Sequence, residues 1–252
     1  MGTVNEASYY EQKFIRDPQW SAREPNPDEA ARWSAIEPLL RTLPLPADRI
    51  LDVGCGRGWL TALAAQYGQA RGIEPVAEVA RHASHLFPGL HFDSTPLDHV
   101  PSEPDFIPFD VVLCSEVIEH VPYAEQADFV HQLRAVLRPG GWVILTTPRR
   151  EMFDRWRWLR NWLPARLRAE PDQPVEDPLT EHEVRALLSK SGFRIEAHSR
   201  AYVRFRALSP ANAILGIRWL ESLLQRRQCD AIRGVCHHRW ALYQVWRARR
   251  EP

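Results

Sequence analysis

From residue 49 to residue 148 short apolar runs alternate with stretches of helical period, and no other feature of the chain narrows the possible folds as much. "RILDV" (49–53) is followed by glycines and then by "WLTALAAQYG", which is helical and closed by Gly68. "ARGIE" (70–74) is a second run, and "PVAEVARHASHLF" after it is helical, with Pro75 at the favoured first position. "LHFD" (90–93) is a third run and "FDVVLCS" (109–115), the most apolar, a fourth. "YAEQADFVHQLRAVL" is helical, "RPGG" ends it, and "GWVILTTP" (141–148) is a fifth strand. Strands alternating with helices of this length predict a parallel sheet with helices on both faces.

The flanks differ. Residues 1–25 are polar and aromatic without a period and form an N-terminal arm. In "NPDEAARWSAIEPLL" Asn26 caps a helix, Pro27 takes its first position and Glu29 completes a capping box, while Pro38 kinks or ends it. After Pro148, "REMFDRWRWLRNWLPARL" sets Met152, Trp156, Leu159 and Leu163 on one helical stripe, and the Pro- and acid-rich 169–178 is a connector. "TEHEVRALLSKSG" is a capped helix, "FRIEAHSRAYVRF" and "RWALYQVWRAR" are strands, and "NAILGIRWLESLLQRR" between them is helical. The organisation is an arm (1–25) and a single domain (26–252) with two helical inserts, 149–178 and 208–236.

Charge is balanced overall but not along the chain. Residues 1–148 hold 11 Lys and Arg against 20 Asp and Glu, the remainder 21 against 12, so the halves carry −9 and +9. Nearly all the cations are arginine; the lysines are Lys13 and Lys190. A basic second half can draw an anionic substrate, a lipid surface or nucleic acid, or be a solvated face with no partner. Cys55, Cys114, Cys229 and Cys236 form no secreted-type framework, which fits a reducing compartment. "CDAIRGVCHH" (229–238) lacks the spacing of a zinc knuckle or finger. With no apolar run before a cleavage site and no apolar stretch of about 18 residues, the expected location is cytoplasmic. Nothing in the sequence fixes an oligomeric state.

"LDVGCGRG" (51–58) leaves the first strand and opens a helix. Gly54, Gly56 and Gly58 let the backbone turn sharply and approach a ligand, and the helix N-terminus offers free N–H groups. A dinucleotide fingerprint needs G-x-G-x-x-G, but Trp59 stands at its third glycine, so the spacing here is G-x-G-x-G. Glu74, at the end of the second run, can accept both hydroxyls of a ribose.

With Asp52 before the turn, Glu74 after it and "RPGGWVILTTP" ahead of the first insert, the chain over roughly residues 26–200 resembles the class I S-adenosylmethionine (SAM)-dependent methyltransferases. It looks most like the ubiquinone-biosynthesis O-methyltransferase group and its small-molecule relatives. The resemblance implies an α/β, Rossmann-like, doubly wound, seven-stranded and mostly parallel sheet with a C-terminal antiparallel hairpin and helical lid inserts. It also implies SAM as cofactor. Gly54, Cys55, Gly56 and Gly58 would line the methionine moiety, and Asp52 would sit under the turn and polarise it. Glu74 would hold the ribose, Pro75 would lie against the adenine, and the backbone of Cys114 would receive the ammonium group. Arg32, in "RWSAI", would reach the cofactor carboxylate, unless it is a solvated arginine on an amphipathic helix. Relatives carry an acid after the third strand, toward the adenine. Here Pro96 takes that place, which leaves the backbone at Leu97 or the side chain of Asp98.

The fourth strand leads into "CSEVIEHV". If helical, it sets Glu116, Glu119 and His120 on one face, beside the methyl group the resemblance implies. Three uses are open: an acceptor-side catalytic patch with His120 as general base, a site for a divalent ion such as Mg²⁺, or packing of the next helix. Small-RNA 2′-O-methyltransferases and some of the quinone group bind a metal through E-x-x-E-H. The RNA enzymes add a downstream histidine where this chain offers Glu176 and Asp177, with His182 beyond. "CSEV" stands where N-methyltransferases of planar amino groups often carry an "NPPY"-like stretch, which favours oxygen or carbon as acceptor. In 149–170, Arg149, Arg150, Arg155, Arg157, Arg160, Arg166 and Arg168 with four aromatics suit a lid over the site or, failing that, peripheral membrane contact. The expected function is methyl transfer from SAM to a small or lipid-like acceptor at oxygen. Its alternatives are RNA ribose 2′-O-methylation, though no recognised RNA module is present, and a catalytically silent SAM-binding partner protein.

Overall fold

The computed structural model describes residues 6–18, 20–44, 47–152, 154, 158, 177–201 and 241–252. Outside them lie the second insert, the segment 229–238, Glu176 and most of the first insert, including Trp156, Leu159 and Leu163 of its stripe.

The arm contributes a helix, α1 (Glu6–Glu11), that widens into a π turn over Gln12–Arg16. Then come α2 (Pro27–Arg41), β1 (Ala47–Val53), α3 (Trp59–Ala64), β2 (Gly68–Ile73), α4 (Ala77–Leu86) and β3 (His91–Asp93). The described chain continues through β4 (Phe109–Ser115), α5 (Gln126–Val136), β5 (Leu137–Pro148), α6 (Glu181–Lys190), β6 (Phe193–Ala201) and β7 (Tyr243–Arg250). The seven strands make one sheet in the order β3-β2-β1-β4-β5-β7-β6. The first five are parallel, and β7 runs antiparallel between β5 and β6. This is the Rossmann-like sheet with a C-terminal hairpin that the resemblance implies.

The central strands are apolar on both sides because both sides are covered. Leu51, Val53, Val112, Val143 and Leu145 face a core filled by Val130 and Leu133 of α5 and Val184 and Leu188 of α6. The alternate residues Ile50, Val111, Leu113 and Ile144 face a second core with Ile36 and Leu40 of α2 and Leu60 of α3. Strand order reverses between β1 and β4, which opens a crevice at their C-terminal ends where α/β sheets take their ligands.

The predicted capping box forms at α2, and the cap expected at α6 proves to be one as well. Asn26 Oδ1 accepts from the Glu29 N–H (3.0 Å) while Glu29 Oε2 accepts from the Asn26 N–H (2.8 Å), and Thr180 and Glu183 repeat the pattern at α6. Such caps contribute about 1 kcal/mol each. Pro38, by contrast, neither ends α2 nor breaks it before Arg41. Ile36 and Leu40 are almost fully buried, and that packing outweighs the hydrogen bond the proline removes. The helix after the glycines is shorter than predicted: at Gln66 and Tyr67 the chain tightens into bonds to Leu63 and Ala64, and Gly68 opens β2 instead of capping α3. Pro75 precedes the α4 cap, Val76, rather than starting the helix. "RPGG" does not separate α5 from the next strand but is drawn into β5, where an irregularity between the Phe109–Leu137 and Val111–Trp142 pairs absorbs it. Among the described residues no helix is long and apolar enough to cross a membrane.

Candidate active site

At the crevice β1 gives way to the glycine turn. The N–H groups of Gly54 and Cys55 both donate to the Ile73 carbonyl (2.9 and 3.0 Å), which ties the turn to the end of β2. Gly54 and Gly58 have φ of +66° and +86°. A Cβ would meet Val117 Cγ2 at 2.5 Å from the first and Phe92 Cζ at 2.6 Å from the second, so backbone conformation and space both require glycine there. Beneath the turn Asp52 accepts from Thr61 Oγ1 (2.6 Å), joining β1 to α3. Complete burial outweighs the Thr61 hydrogen bonds and pushes its carboxyl up to about 7.

Glu74 ends β2 with a carboxylate that is 7% exposed and held from two sides: Oε2 accepts from the Gly56 N–H and Oε1 from the Val76 N–H, both at 3.1 Å. Burial raises its pKa against the pull of those two donors. Arg32 of α2 is 6% exposed, not a solvated arginine. It donates from one Nη to Ser115 Oγ (3.1 Å) and lies over the rings of Trp59 and Tyr243 (5.5 and 5.6 Å). Burial works against its charge, but Glu116, Tyr243, Glu29 and Asp28 together hold its pKa above the ordinary arginine value. Among the described residues its buried Nε has no hydrogen-bond partner.

These groups face a cavity of about 550 Å³, within the range of small-molecule sites. Gly54, Cys55, Gly56, Glu74, Pro75 and Arg32 line it, and so do Glu116, Glu119 and His120. Asp52 and Gly58 support the turn from behind. Cys114, Leu97 and Asp98 do not line the cavity: Cys114 is buried in β4, Leu97 sits in a core, and Asp98 is exposed beside His99. Burial pushes both the Cys55 and Cys114 thiols well above their ordinary range.

The segment after β4 is not the single helix that would put its three polar residues on one face. Glu116 has φ of +60°, a left-handed conformation uncommon for a non-glycine residue, and only Ile118–His120 form a 3₁₀ turn. Glu116 Oε1 accepts from Thr146 Oγ1 (3.0 Å), which in turn meets Ser115 Oγ (2.9 Å). Glu119 is 2% exposed, and its Oε2 accepts from Thr147 Oγ1 (2.9 Å). Among the described residues no three His, Cys, Asp or Glu side chains converge as metal ligands. Asp177 reaches this segment by its backbone, donating its N–H to the Glu119 carbonyl (2.7 Å). Arg149 and Arg150 do not belong to a basic outer face: Arg149 is 7% exposed and donates to the Ala241 carbonyl, and Arg150 donates to the Pro178 carbonyl and pairs with Glu183 (2.7 Å).

What the sequence does not announce is the arm. Tyr10, Lys13, Phe14 and Trp20 all line the cavity. Arg57, fully buried, forks onto the Glu29 carboxylate and donates to the carbonyls of Ala22 and Glu24, so it pins the root of the arm to the glycine turn. The local signal for it is the i, i+4 spacing of Tyr10 and Phe14 and of Tyr9 and Lys13.

Residues 26–198 match a family described as a methyltransferase domain. Similar curated proteins include the ubiquinone biosynthesis O-methyltransferase of Albidiferax ferrireducens, 34% identical over 141 residues that cover 48% of this chain and 55% of that protein. The mitochondrial ubiquinone biosynthesis O-methyltransferase of Mus musculus is 38% identical over 112 residues, covering 41% and 30%. The matches thus span about half the length of the bacterial relative and less of the mouse one. Among solved structures, the N-methyltransferase NodS of Bradyrhizobium japonicum WM9, in complex with S-adenosyl-l-homocysteine, superposes with a TM-score of 0.66 at 13% identity, covering 99% of this chain and 100% of that one. The 1,6-didemethyltoxoflavin-N1-methyltransferase of Burkholderia thailandensis gives 0.59 at 20% identity, covering 98% and 87%. At such identities the likeness is one of fold. With more than half of its length inside the family match, the chain belongs to the methyltransferase-domain family.

Proposed function

We propose that this protein transfers the methyl group of SAM to an oxygen of a small or lipid-like acceptor. The observation that carries the reading is one cavity lined both by a nucleoside-type grip, Glu74 bonded to the glycine turn, and by an imidazole, His120. The residues present fit the cofactor. Glu74 has its backbone donors on one side and faces the cavity on the other, where it would accept the ribose hydroxyls. The unpartnered Arg32 Nε suits the cofactor carboxylate, and the bare backbone of the turn suits the methionine chain. Pro75 and Val76 line the cavity beside Glu74, where they would flank the adenine, whereas Leu97 and Asp98 are not among its lining residues.

When bound, SAM supplies an electrophilic methyl group on a sulfonium that is already a good leaving group. What remains for the chain is alignment and removal of a proton. His120 takes the proton of the acceptor hydroxyl, and Val121, Phe129 and Pro148 give the acceptor an apolar wall that excludes water. Because Glu119 is engaged with Thr147, a proton-accepting imidazole accounts for this end better than a divalent ion does. The similar ubiquinone-biosynthesis proteins are O-methyltransferases by name, which supports oxygen.

The test is transfer of labelled methyl from SAM to matched panels of hydroxylated and amino acceptors. Label should enter hydroxyl compounds, fall by about 10²–10⁴-fold in His120→Ala, and be unaffected by EDTA. Transfer confined to amines would overturn the oxygen assignment, and dependence on added metal would restore the metal reading. Salt-sensitive RNA methylation, or SAM uptake with no transfer to any acceptor, would favour the alternatives.

A further inference from the structure

We propose that Tyr10 is a positioning residue for His120, and that its stack on Phe14 couples the setting of that imidazole to the glycine turn. The proposal rests on reading His120 as the acceptor-side base. The backbone around His120 is set by the core: Ile118 is 1% and Glu119 2% exposed, and the His120 N–H donates to the Val117 carbonyl (2.9 Å). His120 lines the cavity, and its ring meets side chains from outside this core there. Tyr10 meets it edge to face, with centroids 6.2 Å apart and planes at 77°, an arrangement aromatic pairs favour.

Tyr10 is itself held on two sides. Phe14 stacks parallel to it (6.1 Å, 7°) and Tyr9 meets it edge-on (5.3 Å, 76°). The Lys13 ammonium lies over Trp20 (4.7 Å), Phe14 (5.6 Å) and Tyr9 (5.7 Å), cation–π contacts that gather the same rings. Phe14 continues the line to the donor end: a Cβ at Gly56 would lie 3.3 Å from its Cζ. Gly56, Phe14, Tyr10 and His120 therefore form one row of contacts across the cavity. The π turn over Gln12–Arg16 falls on this row, and such turns are frequent at functional sites.

The experiment needs no acceptor. The full chain is labelled with ¹³C at histidine Cε1, and the His120 signal among the ten histidines is assigned with His120→Gln. Tyr10→Ala should move that signal to a position typical of a solvent-exposed histidine, and Tyr10→Phe, which keeps the ring, should restore it. Tyr10→Leu repeats the test with apolar bulk retained, should the alanine variant fold poorly. S-adenosylhomocysteine, at concentrations shown by calorimetry to saturate each protein, should displace the His120 signal in the wild type and not in Phe14→Ala. An unmoved His120 signal in both Tyr10→Ala and Tyr10→Leu would overturn the positioning role. An equal response to S-adenosylhomocysteine with and without Phe14 would overturn the coupling. Failure of the wild type to take up S-adenosylhomocysteine would overturn the coupling together with the cofactor reading, while the Tyr10 comparison would still decide the positioning role.

Discussion

The donor end of the cavity is made mostly by near neighbours in sequence bonded through backbone: the turn after β1 and the acid that ends β2. The acceptor end brings together Tyr10 and His120, more than a hundred residues apart in sequence, and holds them by side-chain packing. Backbone hydrogen bonds and positions that require glycine hold the donor end, whereas ring contacts on a half-buried arm hold the acceptor end. That division would suit the proposed transfer from one donor to a selected acceptor, and it makes Arg57, which joins the arm to the turn, the hinge of the comparison.

Arg57→Ala should therefore have the largest effect. It leaves the Glu29 carboxylate buried without its partner, and loss of one member of a buried pair costs about 3–5 kcal/mol. Chemical denaturation measures it; an unchanged midpoint would mean that the arm is not anchored through this pair.

A pH effect comes next. Burial raises the Asp52 pKa in the folded state to about 7, so the native protein binds this proton more tightly than the unfolded chain does. The stability this group contributes is complete below the ordinary carboxylate range and is lost as pH rises toward about 7. Asp52→Asn should remove that slope from a series of denaturation curves between acid and neutral pH. A slope that persists unchanged would show that Asp52 is ionised throughout.

Glu74→Ala sharpens the donor side: affinity for S-adenosylhomocysteine should fall at least about tenfold, or about 1.4 kcal/mol, as read by calorimetry. The smallest expected effect belongs to the opposite end. His120→Ala should leave that affinity within about twofold, a difference under 0.5 kcal/mol, because the role proposed for the imidazole is toward the acceptor. A loss as large as that of Glu74→Ala would erase the distinction between the two ends.

Where function rests on local chain geometry, the residues made it legible. The capping box at Asn26 and the spacing of Gly54, Gly56 and Gly58 each depend on a few consecutive positions, and Glu74 follows from where the second strand ends. The acceptor end was harder to read for the same physical reason. The E-x-x-E-H spacing suggested a shared helical face, but Glu116 turns left-handed and Glu119 faces Thr147, a partner 28 residues on. The place of Tyr10 against His120, or of Arg57 against Glu29, depends on how distant segments meet across the finished sheet. Pro38 shows the same precedence: a local rule for ending a helix yields to Ile36 and Leu40 packed into the core.

Isothermal titration of S-adenosylhomocysteine into the wild-type protein and Glu74→Ala tests the central assignment most directly. The wild type should bind one equivalent and the variant should bind at least about tenfold more weakly. Absence of binding heat from folded wild-type protein at several temperatures, or equal affinities for the two proteins, would contradict it.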